Sequence, residues 1–292
     1  MKNKAIENCN FISPLGVRGL LFLLFFSISV FAQQKIKLVI LHTNDTHSQV
    51  EPTDKSSLAT SDMGGYARRL GVINQIRKAE ENVILVDAGD FSQGTPYFNF
   101  YNGRVEIDAM NRMKYDAGTL GNHEFDNGID TLAVVLKRAK FQEVSCNYDV
   151  TNTLLNGILK PYTILIRNGV KIGILGLGVN PESLIFQKNY RGLIYSNPLA
   201  KANEISTYLK EKEKCEVIIC LSHLGANKSE TEPNDWDIAH KTHFIDVIVG
   251  GHSHSLITDT IEKNADGKPV VIAQMGKSGL YLGRIDLQLE KK

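Results

Sequence analysis

The stretch YDAGTLGNHEFD, residues 115–126, places a short apolar run directly before a group of polar side chains. The run ends at Gly121, and the polar residues that follow it are Asn122, His123, Glu124 and Asp126. Such side chains are costly to place at the end of a buried strand unless they form hydrogen bonds or bind a ligand. We therefore expect an amide, an imidazole and two carboxylates to meet a ligand at this point of the fold.

Residues of the metal-ligand type also follow four other apolar runs of the chain. They are Asp45 and His47 in KLVILHTNDTH, Asp87 and Asp90 in VILVDAGD, His223 in VIICLSH, and His252 and His254 in DVIVGGHSH. A single ending of this kind has an ordinary explanation as a helix cap or a turn. Five such endings in one chain are hard to obtain by chance. We interpret them as one site at the carboxyl ends of several strands.

Short β-branched runs alternate with amphipathic stretches of helical length. The runs predict strands at Ile36–Leu41, Val83–Val86, Ala117–Leu120, Thr163–Ile166, Lys171–Leu177, Val217–Leu221 and Ile245–Val249. Helices are predicted at Gly65–Lys78, Asp130–Lys140 and Leu199–Lys212. This alternation predicts one α/β domain over residues 33–292. Two consecutive strands near the end, Val270–Gln274 and Leu280–Leu289, are predicted to pair antiparallel.

The candidate ligands combine carboxylates, imidazoles and one amide, with no thiolate among them. This mixed set of oxygen and nitrogen atoms suits Zn, Mn, Fe or Co, is poor for Ca, and argues against a closed structural zinc site. About seven such residues are too many for one metal ion. They suit two ions that lie ~3.5–4 Å apart and share a bridging carboxylate. Such a pair clamps the attacking and leaving oxygens of a phosphoryl group.

From about Lys35 to Leu289 the chain resembles the metallophosphatase domain of the 5′-nucleotidase family, within the calcineurin-like metallophosphoesterases. The most specific pieces are ILHTNDTHSQV (residues 40–50) and YDAGTLGNHEFD, and DAGDFSQGTP, LSHLG and VGGHSH fall in the family order. The resemblance implies a four-layer α-β-β-α sandwich of two mixed sheets flanked by helices. It also implies two divalent metal ions and hydrolysis of the phosphate monoester of 5′-nucleotides to nucleoside and phosphate.

The resemblance assigns a role to each candidate site residue. One metal takes Asp45, His47 and His254, the other takes Asn122, His223 and His252, and Asp90 bridges the two. His123 is similar to the catalytic histidine that contacts the phosphate beside Asn122, and Asp126 is similar to the carboxylate that orients this imidazole. We expect Glu124 to be structural, with hydrogen bonds to neighbouring backbone groups.

The resemblance leaves the pocket for the base unassigned. Bacterial 5′-nucleotidases of this family usually carry a second, C-terminal domain with an aromatic clamp for the base and arginines for the phosphate. Because the sequence stops at Lys292, we expect specificity to come either from a separate chain that supplies this domain or from local loops. The loops are Glu51–Asp62, Thr95–Arg104 and Asn180–Asn197. Hydrolysis of nucleotide sugars or 2′,3′-cyclic nucleotides is a related alternative, and a metal-containing binding subunit is an alternative of another class.

The first 32 residues differ in character from the rest of the chain. Lys2, Lys4 and Arg18 precede the apolar run Gly19–Phe31, and small residues occupy the end of this segment up to Ala32. A core of about a dozen apolar residues suits an export signal and is too short to span a bilayer. We expect cleavage after Ala32 and a periplasmic or secreted protein without a stable membrane anchor. An uncleaved N-terminal anchor is the alternative.

Composition excludes some classes of partner. The 292 residues include 33 Lys and Arg and 32 Asp and Glu, so the formal net charge is +1. This balance provides no electrostatic footprint for a nucleic acid polymer or an acidic membrane, so affinity for a substrate must come from a local site. The resemblance implies that the partner is a small phosphate ester, in particular a nucleotide. Cys146, Cys215 and Cys220 show no metal-type spacing, and we expect them to be small buried hydrophobic residues.

Two further polar residues near the candidate ligands are interpreted as structural. Asp87 lies three residues before Asp90 and is expected to form hydrogen bonds within their shared loop. His42 lies before the first ligand loop, and we expect it to be buried and hydrogen-bonded rather than catalytic.

Overall fold

The protein is described by a computed structural model that covers residues 35–56, 59–227 and 231–290. The predicted export signal, residues 1–32, lies outside the described residues. Over the three described ranges, no helix is both long enough and apolar enough to cross a membrane.

Strands alternate with helices up to residue 143, as the sequence predicts, and α-helices return after residue 197. The strands are β1 (Lys35–Thr43), β2 (Val83–Asp87), β3 (Ala117–Gly118), β4 (Gln142–Glu143), β5 (Tyr148–Asp149), β6 (Tyr162–Arg167), β7 (Val170–Leu177), β8 (Ile194–Tyr195), β9 (Val217–Ser222), β10 (Val247–Gly250), β11 (Leu256–Lys263), β12 (Pro269–Met275) and β13 (Gly283–Glu290). The α-helices are α1 (Tyr66–Ala79), α2 (Pro96–Tyr101), α3 (Arg104–Met113), α4 (Ile129–Leu136), α5 (Pro198–Glu211) and α6 (Asp235–Lys241).

The first sheet has the strand order β13-β1-β2-β3-β4. β1 to β4 pair parallel, and β13 pairs antiparallel with the outer side of β1. A parallel strand that is covered on both faces is apolar along its whole length. This explains the continuous apolar run in β1, where Leu38 and Ile40 belong to the core on one face and Val39 and Leu41 to the core on the other.

The second sheet has the strand order β11-β12-β10-β9-β7-β6. Its four central strands are parallel, and the two edge strands, β11 and β6, are antiparallel to their neighbours. A small third sheet pairs β5 with β8. Both large sheets are therefore mixed, and both are dominated by parallel strands whose carboxyl ends point the same way within each sheet.

Three hydrophobic cores separate four layers. The core between the sheets includes Ile40 and Ile84 from the first sheet and Ile174 and Ile219 from the second. A second core lies between the first sheet and α1, α3 and α4, and it includes the fully buried Ile73. A third core packs α5 and α6 on the second sheet. This arrangement is the predicted four-layer α-β-β-α sandwich of two mixed sheets.

The predicted pairing of the last two strands with each other is wrong. β12 pairs with β10 and β11 in the second sheet, whereas β13 pairs with β1 in the first. Both sides of β12 are thus occupied, and β13 instead covers the open edge of β1. The connection crosses between the sheets beside the ligand loops, where Ser278 donates its N–H to the Asp45 carbonyl at 2.7 Å.

Candidate metal centre

The segments that carry the candidate ligands come together from both sheets. Asp45 follows β1, Asp90 follows β2 and Asn122 follows β3, whereas His223 follows β9 and both His252 and His254 follow β10. The backbone N–H of His252 donates to both carboxylate oxygens of Asp45, at 3.1 and 3.0 Å. This contact joins the first sheet to the second. The strand ends therefore form one site, as expected for α/β sheets.

Asp45, His47 and His254 form the first group of possible metal ligands. The Nε2 atoms of the two histidines lie 3.0 Å apart, and Asp45 Oδ1 lies 3.4 Å from His254 Nε2. Asn44 holds the carboxylate in place, because its Nδ2 donates to Asp45 Oδ2 at 2.7 Å. Three ligand atoms thus point at one small volume.

Asp90, His223 and His252 form the second group. Asp90 Oδ2 lies 3.1 Å from His223 Nε2, and both residues are buried. Within each group the ligand atoms lie within 4.8 Å of one another. The two groups bring together six of the seven predicted ligands, and Asp90, predicted to bridge the metals, lies in the second group.

Unpaired polar atoms indicate that this donor set fits divalent cations. His223 donates its Nδ1–H to the Ala88 carbonyl at 2.7 Å, which leaves the Nε2 lone pair directed at the site, and Nε2 is buried without a hydrogen-bond partner. A second hydrogen bond of this kind is how proteins orient a metal-binding imidazole. Asn122, the seventh predicted ligand, likewise has a buried Oδ1 with no partner. A divalent ion held by these two residues would satisfy both atoms.

The backbone at the candidate ligands is strained. Asp45, His47, Asp90, His252 and His254 all have left-handed backbone conformations, with φ between 47° and 66°. Residues other than glycine adopt this region rarely, at a cost of order 1–3 kcal/mol each, and such residues cluster at functional sites. Five of them in one cluster mark this as the functional site of the fold.

His123 lies beside the first ligand group. Its ring centroid is 5.4 Å from that of His47, and its backbone N–H donates to Asp90 Oδ1 at 2.9 Å. Its Nδ1 donates to Asp126 Oδ2 at 2.8 Å, and this hydrogen bond raises the pKa of His123. The imidazole is about one third exposed, so it is accessible to a ligand in the site.

The comparison with known proteins identifies the family. The profile of the calcineurin-like phosphoesterase family matches residues 38–256. This chain belongs to that family. The matched region includes all the candidate ligands and the residues of the proposed catalytic pair, His123 and Asp126.

Several curated relatives of this calcineurin-like phosphoesterase are 5′-nucleotidases. It is 34% identical to the 5′-nucleotidase of Homo sapiens in an alignment 283 positions long that covers 88% of this chain and 47% of the human protein. It is also 34% identical to the snake venom 5′-nucleotidase of Naja atra in an alignment 285 positions long that covers 88% of this chain and 51% of that relative. The chain spans about half the length of these curated relatives.

Solved structures agree with the family assignment. A 5′-nucleotidase precursor from Thermus thermophilus is 33% identical, with a TM-score of 0.78 over 86% of this chain and 51% of that one. The calcineurin-like phosphoesterase YfkN from Bacillus subtilis is 32% identical, with a TM-score of 0.74 over 89% of this chain and 87% of that one. The second match covers most of both chains.

Glu124 is structural in this phosphoesterase, as the sequence predicts. Its Oε2 accepts the N–H groups of Asp90 and Gly121 at 2.9 and 2.7 Å, and its Oε1 accepts the N–H and the hydroxyl of Ser92 at 3.1 and 3.0 Å. Burial raises the pKa of Glu124 to about 7, and the neighbouring Asp90 contributes to the increase. Glu124 therefore ties the Asp90 loop to the Asn122 loop.

The prediction for Asp87 is confirmed. The prediction for His42 is right about its burial and wrong about its hydrogen bonds. Asp87 accepts the Gly89 N–H at 2.9 Å and the Thr43 hydroxyl at 2.5 Å, within and beside the ligand loop. His42 is fully buried, but neither ring nitrogen has a hydrogen-bond partner. Burial lowers the pKa of His42 to about 4, so the ring is neutral near pH 7.

Gly121 is a functional position that sequence reasoning used only as the end of a strand. A Cβ atom there would overlap Asp90 Oδ1 and lie 2.6 Å from His223 Nε2. The close approach of backbone to two ligands therefore requires glycine. The signal in the sequence is its position directly before Asn122, where the ligand loop begins.

Gly121→Ala is expected to lower metal affinity about tenfold or more, because the new methyl group displaces two ligands that must stay aligned. Isothermal titration with Zn²⁺ and Mn²⁺ measures the effect. Gly71→Ala is the matched control: no atom lies within 4 Å of a Cβ at this helical glycine, so the change should stabilise α1 by ~0.5–1 kcal/mol and leave metal affinity unchanged. Equal metal affinity in both variants would contradict the close-contact argument.

Proposed function

We propose that this chain is an exported phosphohydrolase with a two-metal centre that hydrolyses the phosphate monoester of 5′-nucleotides to nucleoside and phosphate. The observation that carries the proposal is the pair of adjacent ligand groups with the His123 imidazole beside them. The names of the 5′-nucleotidase relatives support the choice of substrate class.

Each residue near the two groups has a proposed part in holding the metals. Asp45, His47 and His254 would hold one ion, Asn122, His223 and His252 the other, and Asp90 would bridge them. When bound, two divalent ions stabilise phosphoryl oxygens as Lewis acids and make the attacking water more acidic. Zn, Mn, Co and Fe all suit these ligands.

Apart from the metal ligands, His123 and Asp126 are the side chains proposed to act on the phosphoryl group. The Nδ1 edge of His123 is occupied by Asp126, and among the described residues its Nε2 edge makes no hydrogen bond, so this edge can donate to a phosphoryl oxygen. As water attacks phosphorus and the ester P–O bond breaks, negative charge that develops on the phosphoryl group is stabilised by this donor. Asp126 fixes the direction of the ring throughout.

The proposal is tested by metal content and turnover of the full chain. Loaded with Zn²⁺ or Mn²⁺, it is expected to bind about two ions per chain and to hydrolyse p-nitrophenyl phosphate, with activity lost on chelation and restored by metal. Elemental analysis and release of p-nitrophenol measure the two quantities. Substantially fewer than two ions, with no turnover under any metal, would overturn the proposal.

A substrate panel separates the related activities. AMP, a nucleotide sugar, NAD and a 2′,3′-cyclic nucleotide cover the candidates, and NAD is included because a solved relative from Haemophilus influenzae, 29% identical, is described as an NAD nucleotidase. We expect AMP to give the highest kcat/KM. Preference for a diester or a pyrophosphate in this panel would replace the monoester assignment.

Two predictions of the sequence analysis remain proposals. Export rests on the basic residues and the apolar run before Ala32, and N-terminal sequencing of protein recovered outside the cytoplasm should begin at Gln33. A separate chain that supplies a nucleoside-binding domain would have to increase the AMP preference of this chain when added to it. A binding subunit without catalysis is ruled out if the purified chain turns over the panel.

A further inference from the structure

The loop from Gly251 to Ser255, which we call the HSH loop, carries one ligand of each group. His252 belongs to the second group and His254 to the first, and only Ser253 separates them. Both histidines have left-handed backbone conformations, with φ of 66° and 53°. Such conformations persist only where the surrounding structure fixes them. Contacts from outside the HSH loop must therefore hold it in this shape.

Gln274, in β12, contacts the HSH loop at three places. Its Oε1 accepts the Ser253 hydroxyl at 2.9 Å and also the Ser255 N–H. Its Nε2 donates to the Gly251 carbonyl at 2.8 Å. The three contacts fall on residues that alternate with the two histidines along the chain. One side chain therefore holds the loop on both sides of each ligand.

The partners of the Gln274 amide leave it a single orientation. A backbone carbonyl such as that of Gly251 can only accept, and a backbone N–H such as that of Ser255 can only donate. The oxygen and the nitrogen of the amide therefore cannot be exchanged. The side chain is fully buried, and within the described ranges all of its hydrogen bonds go to the HSH loop. A buried amide is costly unless it is paired, so its pairing with this loop is strongly favoured.

The end of β12 also holds the ligand segment of the first sheet. Asn44 Oδ1 accepts the Met275 N–H at 2.8 Å, and Asn44 Nδ2 donates to the Gly276 carbonyl at 2.8 Å and to Asp45 Oδ2 at 2.7 Å. The Gly276 N–H donates to the Ser255 carbonyl at 2.9 Å. The end of β12 thus connects ligand segments of both sheets, and Gln274 makes the connection to the two histidines.

We propose that Gln274 is a positioning residue that holds His252 and His254 in the geometry needed to bind both metal ions. The inference rests on the proposed function, since it concerns the two ions of that centre. Contacts to metal ligands from outside the coordination sphere orient them, and loss of such contacts weakens metal binding by about 10–100-fold. Because the HSH loop carries one ligand of each group, the affinities for both ions depend on the same side chain.

The test replaces Gln274 by methionine, which has nearly the same length and shape but forms none of the three hydrogen bonds. The metal-free chain is titrated with Zn²⁺ against a competing chelator. In Gln274→Met both stepwise affinities should fall about 10–100-fold. Gln288→Met, the same change at an exposed position of β13, is the matched control and should keep the wild-type affinities. Wild-type affinity for either ion in Gln274→Met would overturn the proposal.

Ser253→Ala provides a milder change to the same contacts. It removes the hydroxyl that donates to Gln274 Oε1, so both affinities should fall about two- to tenfold, the effect of one neutral hydrogen bond. Thermal melting of each metal-free variant verifies that it is folded. If Gln274→Met does not fold, Ser253→Ala decides, and unchanged affinities in that variant overturn the proposal.

Amide hydrogen exchange of the metal-free chain needs neither metal nor turnover. The His252 N–H donates to Asp45, and in Gln274→Met it should exchange about tenfold faster, because the loop opens more readily. The N–H of Ile219, fully buried in β9 of the same sheet, should keep its wild-type rate. An equal increase at both residues would indicate a general loss of stability and would contradict a positioning role.

The outcomes distinguish the inference from the function on which it rests. If wild type binds two ions and folded Gln274→Met binds them equally well, the positioning role is overturned and the two-metal phosphohydrolase stands. If wild type binds no metal, the proposed function fails. The exchange rates of the metal-free chain then decide on Gln274 alone, and an unchanged rate at His252 overturns its role in holding the HSH loop.

Discussion

Asp90→Ala is expected to empty the metal centre and to abolish phosphatase activity. Asp90 Oδ2 lies 3.1 Å from His223 Nε2, and Asp90 Oδ1 accepts the backbone N–H of His123 at 2.9 Å. The substitution therefore removes the proposed bridging ligand and one contact that holds the catalytic loop. Loss of outer contacts of a metal ligand alone weakens binding by about 10–100-fold. Loss of the bridge should exceed this range for both ions.

Metal content, turnover of p-nitrophenyl phosphate and melting temperature measure the effect of Asp90→Ala. With metal present, the melting temperature should fall below that of wild type, because metal binding contributes to folding stability. Asp108→Ala, an exposed aspartate that pairs with Arg138 on the surface, is the control and should retain both metals and full activity. An Asp90→Ala chain that still holds two ions would show that Asp90 does not bridge them.

Most long strands of the two sheets could be predicted from the sequence because they are buried on both faces. β1, β7 and β9 are covered on both faces, and a strand buried on both faces must be apolar along its length. Helix α5 was equally clear, since one face of it packs on the second sheet. Such signals are local, and each can be recognised without knowledge of the rest of the fold.

The partner of β13 could not be predicted in the same way. The choice of a sheet for this strand depends on which edge is open after the whole chain has folded, and β1, its partner, lies almost 250 residues earlier. Short strands such as β5 and β8 gave no signal either. Two residues per strand are too few to produce a periodic pattern.

The candidate site also has features that are local in sequence and features that depend on the whole fold. Ligand types and their order after strands are local features, so Asp45, Asp90 and His223 could be proposed from the sequence. Five ligands have a left-handed backbone conformation, which Asp and His residues seldom adopt. Residue preferences for backbone conformation therefore could not predict it. The surroundings of His42 are not local either, since its ring packs against Gly283 of β13, where a Cβ atom would overlap it.

His123→Ala is expected to lower kcat by about 10²–10³-fold while both metals stay bound. His123 donates through Nδ1 to Asp126, its Nε2 edge is open to the site, and none of its side-chain atoms belongs to a ligand group. Removing one donor that stabilises the charge of a transition state costs about this much in kcat. Because such a donor acts mainly in the transition state, KM should change less than kcat.

Asp126→Asn separates positioning from direct contact. An amide in place of the carboxylate keeps the size of the side chain but weakens its hold on His123 Nδ1, so kcat should fall less than in His123→Ala, by about tenfold. His240→Ala is the control for loss of a histidine, since His240 pairs with Glu262 on the surface and should be silent. Elemental analysis must find about two ions in every variant. If His123→Ala instead loses metal, His123 is a ligand, and the division between ligands and catalytic residue proposed for this site is wrong.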